Sequence, residues 1–244
     1  MPSNRLFALF RANAKRGTFK AEANVLYLYD VIVSSKADAE WLGGCDAETF
    51  VQTLASLTGD VTVRINSPGG DVFAGVAMAT AIRNYPGKVT CQVDGFAASA
   101  ASVIAVAADS IVMAPGAFMM IHNAWTIAMG DAEEFMATAA LLEKIDGSLA
   151  AGYAAAAGKR GKDMTAEAFA TLMDAETWLT AADALTAGLA DAVAEPAEKV
   201  SASWDLSVYA KAPEQVVEPI VEPVAEPDTS EIEARRRKVA VALL

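Results

Sequence analysis

Residues 25–33 (VLYLYDVIV) are dense in β-branched and aromatic side chains, which suit a pleated, half-buried surface, and they predict a strand. Asp46 is placed to cap a helix running to about Leu57, and Gly59-Asp60 then turns the chain into a second strand over 61–65. Asn66-Ser67-Pro68-Gly69-Gly70 breaks that strand, and a helix follows to about Asn84. Beyond Pro86-Gly87 come a third strand over 89–93, then Gly95, and an Ala-rich helix from about Ala98. Two short strands, 111–114 and 118–121, are joined by Pro115-Gly116. From 131 to 157 the chain is one long helical pattern with no proline. A glycine-bounded turn at 158–161 follows, then a short helix after Thr165 and another after Thr180 that ends at Gly188. Alternating strands and helices predict an α/β fold of repeated βαβ units, with helices packed on a largely parallel sheet.

The pattern weakens at both ends. Residues 1–18 are expected to form an N-terminal arm, 19–194 a globular domain, and 195–244 a linker and tail. The first sixteen residues mix basic positions with some Leu and Phe but hold no continuous apolar run, so no signal peptide is expected. They read as a disordered arm, with a short amphipathic docking segment as the alternative. Five of the nine prolines fall between Pro196 and Pro227, where acid–proline pairs recur, which excludes a helix or central strand and predicts an extended charged linker. Residues 230–244 read as a disordered tail, or as a docking tag with a basic centre and an apolar end.

Composition narrows the function. At 54% hydrophobic residues the chain can bury a sizeable core. The longest apolar stretch, around 97–108, is too short to span a bilayer and is interrupted by Ser99 and Ser102. A net charge of −12 argues against nucleic-acid binding, because only 235–238 clusters basic residues. Cys45 and Cys91 lie far apart with no CxxC and no nearby histidine, so reduced thiols in a cytoplasmic protein are expected, with no metal site.

Three segments could carry chemistry. His122 is the only histidine, so any Ser–His mechanism must use it; a lone histidine beside apolar residues also fits a structural role. Ser99 follows Gly95-Phe96-Ala97-Ala98 at a strand-to-helix junction, where small neighbours leave the hydroxyl accessible and a helix start supplies free amides. That is the logic of a nucleophile elbow with Ala97 and Ala101 in the glycine places, and an ordinary helix-start serine fits equally. Ser102, one turn on, is expected to be buried against the sheet. The paired glycines Gly69-Gly70 let backbone amides approach a ligand closely. An oxyanion hole and a plain tight turn both fit them; a phosphate cradle does not, because the Walker lysine is absent.

Four segments in order, INSPGGDVFAG (65–75), GFAASAAS (95–102), MIHNAW (120–125) and ETWLTAADALTAGLAD (176–191), resemble the Clp protease proteolytic subunit family. The similarity spans roughly residues 24–193. It implies a ClpP/crotonase-like α/β fold in which 131–157 is a long projecting helix. It also implies a serine endopeptidase that acts on polypeptides without metal or cofactor. Residue by residue, the resemblance makes Ser99 the nucleophile, His122 the general base, and the backbone amides of Gly70 and Ala100 the oxyanion hole. The family usually has an aspartate as the acid; here Glu176 stands in its place. Its longer side chain needs a shifted backbone, which leaves Asp174 or a Ser–His dyad as alternatives. The resemblance further implies homo-oligomeric heptameric rings stacked around a closed chamber, which housekeeping members pair with an ATP-driven unfoldase. The diverged N-terminus and the Pro/Glu extension resemble phage and prophage members that process capsid proteins during head assembly. Capsid or scaffold proteins are then expected partners, in the bacterial or phage-infected cytoplasm or within the prohead. Two other functions fit part of the pattern. A crotonase-type acyl-CoA enzyme shares the fold and an amide-built oxyanion hole but needs no Ser99–His122 pair. A non-catalytic scaffolding protein on the same fold needs neither.

Overall fold

The computed structural model describes residues 5–195 and 204–213; the repeats of 217–227 and the tail of 230–244 lie outside them. In chain order the elements are α1 (Arg5–Asn13), β1 (Thr18–Glu22), β2 (Val25–Tyr29), β3 (Ile32–Val33), α2 (Lys36–Leu42) and β4 (Cys45–Asp46). Then come α3 (Ala47–Ala55), β5 (Val61–Ser67), α4 (Val72–Arg83), β6 (Val89–Ala98), α5 (Ala100–Ala105), β7 (Ser110–Met113) and β8 (Phe118–Ile121). The rest are α6 (Ala132–Lys159), α7 (Ala166–Asp174), β9 (Thr177–Thr180), α8 (Ala181–Ala187) and β10 (Ala192–Val193).

Side chains that offer oxygen acceptors to orphaned amides start most of these helices. Asp46, Asp71 and Thr165 cap α3, α4 and α7, while Asp131 with Glu134 and Thr180 with Asp183 form capping boxes at α6 and α8. The main sheet runs β1-β2-β5-β6-β7-β10. All its neighbours pair in parallel except β1 with β2. Val63, Ile65, Cys91, Val93, Ile111 and Met113 are fully buried in it, under α3, α4, α5 and the C-terminal half of α6. Both cysteines are free and buried.

The strand β6 creates the site. Its first half lies between β5 and β7, but its last three residues, Phe96, Ala97 and Ala98, pair in parallel with β8. β9 then adds antiparallel to β8, so this corner of the sheet departs from the main ladder. The sequence ends the third strand at Val93 and places no strand at 177–180. Both differences have one cause: β8 provides a new pairing edge that prolongs β6 and recruits β9.

Other expectations also shift. The strand expected over 25–33 divides at Asp30-Val31, where the Asp30 carboxylate accepts from the Val31 amide at 2.8 Å and the Asp30 carbonyl accepts from Ser67. The expected disordered arm is instead helix α1, which buries Leu9 and Asn13. Part of the expected tail is packed as well: Trp204, Leu206 and Tyr209 are buried with Leu9, Ala98 and Met120 in a second apolar cluster. Asn13 joins the two ends, donating to the Asp205 carbonyl and accepting from the Asp205 amide at 2.7 Å.

Candidate active site

Four neighbouring strand ends bring the candidate residues together. In parallel pairing Ala98 lies beside Met120, and the Ser99 amide extends the ladder by donating to the Met120 carbonyl at 2.9 Å. Ser99 follows directly on this ladder and His122 comes directly after Ile121, the last residue of β8; His122 Nε2 stands 2.7 Å from Ser99 Oγ. In the antiparallel β8–β9 register Ile121 faces Thr177, so one step further Glu176 stands opposite His122. Across β6, Ser67 pairs with Ala97, which brings the Gly69-Gly70 turn against Ser99. A Cβ on Gly69 would lie 2.8 Å from the Ser99 Cβ, so only glycine permits that approach. Ligand sites at the carboxyl ends of strands are the general rule for such sheets.

The backbone here is strained. Among the described residues, four non-glycine positions have positive φ, and two of them are Ser99 (φ 53°) and Glu176 (φ 47°). Such conformations cost on the order of 1–3 kcal/mol each and persist where the surroundings over-determine them. At Ser99 the sharp turn from β6 into α5 lifts the hydroxyl out of the sheet and leaves the Ala100 amide in the first turn of α5, without an intrahelical acceptor. Gly70 bridges to Ile32, but that bridge uses the Gly69 carbonyl and the Asp71 amide, which turns the Gly70 N–H away from β3. Gly70, Ser99, Ala100 and His122 all line a cavity of about 110 Å³, whose lining also includes Leu141, Leu142 and Ile145 of α6.

Behind this row Ser102 is fully buried, as the sequence predicts; it donates to the Ser99 carbonyl at 2.6 Å and pairs with the Tyr153 hydroxyl at 2.7 Å. Burial takes the His122 pKa down to about 4, opposed by the nearby Glu176 charge and assisted by Arg5. The imidazole is therefore neutral at pH 7 and free to accept a proton from Ser99.

The two candidate acids are both engaged elsewhere. Asp174 accepts from the Asn123 side chain at 2.7 Å. Glu176 accepts from the backbone amides of Ala210 at 3.0 Å and Lys211 at 2.6 Å. Among the described residues, neither carboxylate is hydrogen-bonded to His122.

The Clp protease family model matches residues 45–197. The chain belongs to the Clp protease family. Similar proteins include an ATP-dependent Clp protease proteolytic subunit from Bacteroides fragilis, 31% identical over 136 residues, covering 55% of this chain and 63% of that protein. An ATP-dependent Clp protease proteolytic subunit 1 from Protochlamydia amoebophila is 32% identical over 143 residues, covering 57% of this chain and 67% of that protein. The chain thus spans about 60–67% of the length of these curated relatives.

The Clp protease match stops at residue 197, and several residues around His122 lie outside it. Tyr209 stacks edge-on against His122 with centroids 5.5 Å apart, and also against Trp125 and Trp178. Arg5 of α1 sits over the Trp125 ring. None of these is legible as a site residue in the sequence. The available signal is the apolar spacing of Trp204, Leu206 and Val208-Tyr209, at odds with the proline-rich surroundings.

Proposed function

We propose that this protein is a serine endopeptidase in which Ser99 attacks the scissile carbonyl and His122 is the general base. The observation that carries it is the 2.7 Å contact between His122 Nε2 and Ser99 Oγ in the lining of the cavity. In the reaction His122 Nε2 takes the Ser99 proton as Oγ bonds to the carbonyl carbon. The Gly70 and Ala100 amides donate to the developing oxyanion. His122 then gives its proton to the departing amine, and a water activated by the same imidazole releases the acyl group. Glu176 is the preferred acid, acting as a charge that stabilises the imidazolium.

Polypeptides are the proposed substrates, inside a ring of identical subunits. Support comes from α6, whose 28 residues span about 42 Å at ~1.5 Å per residue. Its C-terminal half buries Ala150, Tyr153 and Ala157, while Phe135, Met136 and Leu141 stay at least half exposed. Such unpartnered apolar positions suit contact with other copies. A capsid-processing role rests on the resemblance of the chain's ends to phage members, and any dependence on an unfoldase would be external to this chain.

The test is labelling of the assembled protein with a fluorophosphonate. Wild type is expected to label and to cleave unfolded polypeptide. Ser99→Ala is expected to abolish labelling and to lower hydrolysis by about 10⁵-fold or more, with His122→Ala close behind. An assembled wild type that neither labels nor cleaves would end this assignment.

A further inference from the structure

One short run of chain, 209–211, reaches the proposed base, the proposed acid and the turn that carries Gly70. The Tyr209 hydroxyl donates to the Pro68 carbonyl at 2.6 Å, in the turn that carries Gly70. The Tyr209 ring stands edge-on to the His122 imidazole, at 82° and 5.5 Å, and is itself 5% exposed. The next two amides hold the Glu176 carboxylate. A residue that only filled space would need the ring alone. Here the hydroxyl ends on a buried carbonyl beside the nucleophile, where an unmet partner is costly.

We propose that Tyr209 is a positioning residue of the peptidase site, its hydroxyl fixing the Pro68 turn and its ring fixing His122, while the Ala210 and Lys211 amides anchor Glu176 beside the base. This rests on the serine-peptidase assignment above. It makes the segment after the matched family region part of the active site. It also explains how a glutamate can occupy the acid's place: the carboxylate is satisfied by the added segment and acts on His122 through its charge.

The ring contributes to the burial that holds the His122 pKa down to about 4. The groups facing the imidazole are Ser99 from the β6–α5 turn, Glu176 ahead of β9, Arg5 from α1 and Tyr209 itself. Loss of the ring admits water, which favours the charged form, so the pKa of the base must rise.

The experiment measures kcat and KM on a fluorogenic peptide across pH 3.5–8 for the full-length assembled protein, Tyr209→Phe and Tyr209→Ala. For wild type the acid limb of kcat/KM is expected near pH 4. Tyr209→Ala is expected to move it up by about one pH unit or more and to lower kcat by about tenfold or more, with KM changed less than about threefold. Tyr209→Phe is expected to restore the acid limb to within about 0.3 pH units while kcat stays about three- to tenfold low, because only the hydroxyl is missing. Wild-type kcat in Tyr209→Phe together with an unmoved limb in Tyr209→Ala overturns the proposal and leaves the peptidase standing. If Tyr209→Ala does not fold, Tyr209→Phe decides by its kcat alone. Absence of labelling in wild type removes the peptidase and this role together.

Discussion

On one flank His122 looks into the cavity, past Ser99 and toward Gly70 and Ala100; on the other it lies against the ring of Tyr209, with Trp178 behind it. The open flank is made of backbone. It depends on positive φ angles, on glycines that allow close approach, and on amides left without partners. The closed flank is made of ring volume and hydrogen bonds to carbonyls and carboxylates. The proposed base needs both: an opening through which a substrate would reach Ser99, and a dry wall that keeps the imidazole neutral and in place. The two flanks should therefore fail differently. Errors on the open side should cost transition-state stabilisation at once, while errors on the closed side should shift pH dependence and rate by smaller factors.

After loss of Ser99 or His122, the largest effect should come from Gly70→Ala. Its Cβ would run into the Ile32 carbonyl at a φ of 147°, so the Gly70 amide must move. A fall in kcat/KM of about 100-fold or more is expected, the usual cost of an oxyanion donor, with the folded circular-dichroism spectrum retained. A near-native rate would show that Gly70 N–H does not face the oxyanion.

The carboxylates sharpen the closed flank. Glu176→Gln removes the charge beside His122 and should slow hydrolysis by about tenfold. Asp174→Asn, whose partner is the Asn123 side chain, should stay within about twofold. Equal and near-native rates would mean that the enzyme runs as a Ser–His dyad.

Ser102→Ala should be mildest for catalysis, with a rate within about threefold of wild type. It should destabilise the fold by about 1–3 kcal/mol in urea denaturation, since it strands the buried Tyr153 hydroxyl. A larger loss of rate than of stability would place Ser102 on the catalytic side of the division.

The same division separates what could be read in the sequence from what could not. The open flank follows from local chemistry: a strand broken after Ile65, a glycine pair, an Ala-rich helix start near Ser99, and a short strand ending at Ile121. Each of those signals lies within a few residues of the group it positions. The helices of the βαβ core and their caps at Asp46, Thr165 and Thr180 were legible for the same reason. The closed flank depends on pairings across the whole chain. β9 exists only because β8 offers an edge, and helix α1 is held by residues near position 205. No periodicity within 177–180 or 5–13 contains that information. The orientation of Glu176 was not readable either, because its two shorter hydrogen bonds come from backbone amides in a segment whose composition points to a linker.

The clasp between Asn13 and Asp205 gives the wall a history as well as a geometry. Its halves are 192 residues apart, so most of the chain is synthesised between them. At roughly 5–20 residues per second, on the order of ten seconds or more separates the emergence of one half from the other. A nascent chain can already hold Ser99, His122 and the oxyanion turn while Tyr209 has yet to be translated. The completed wall is therefore a late event in the life of each molecule.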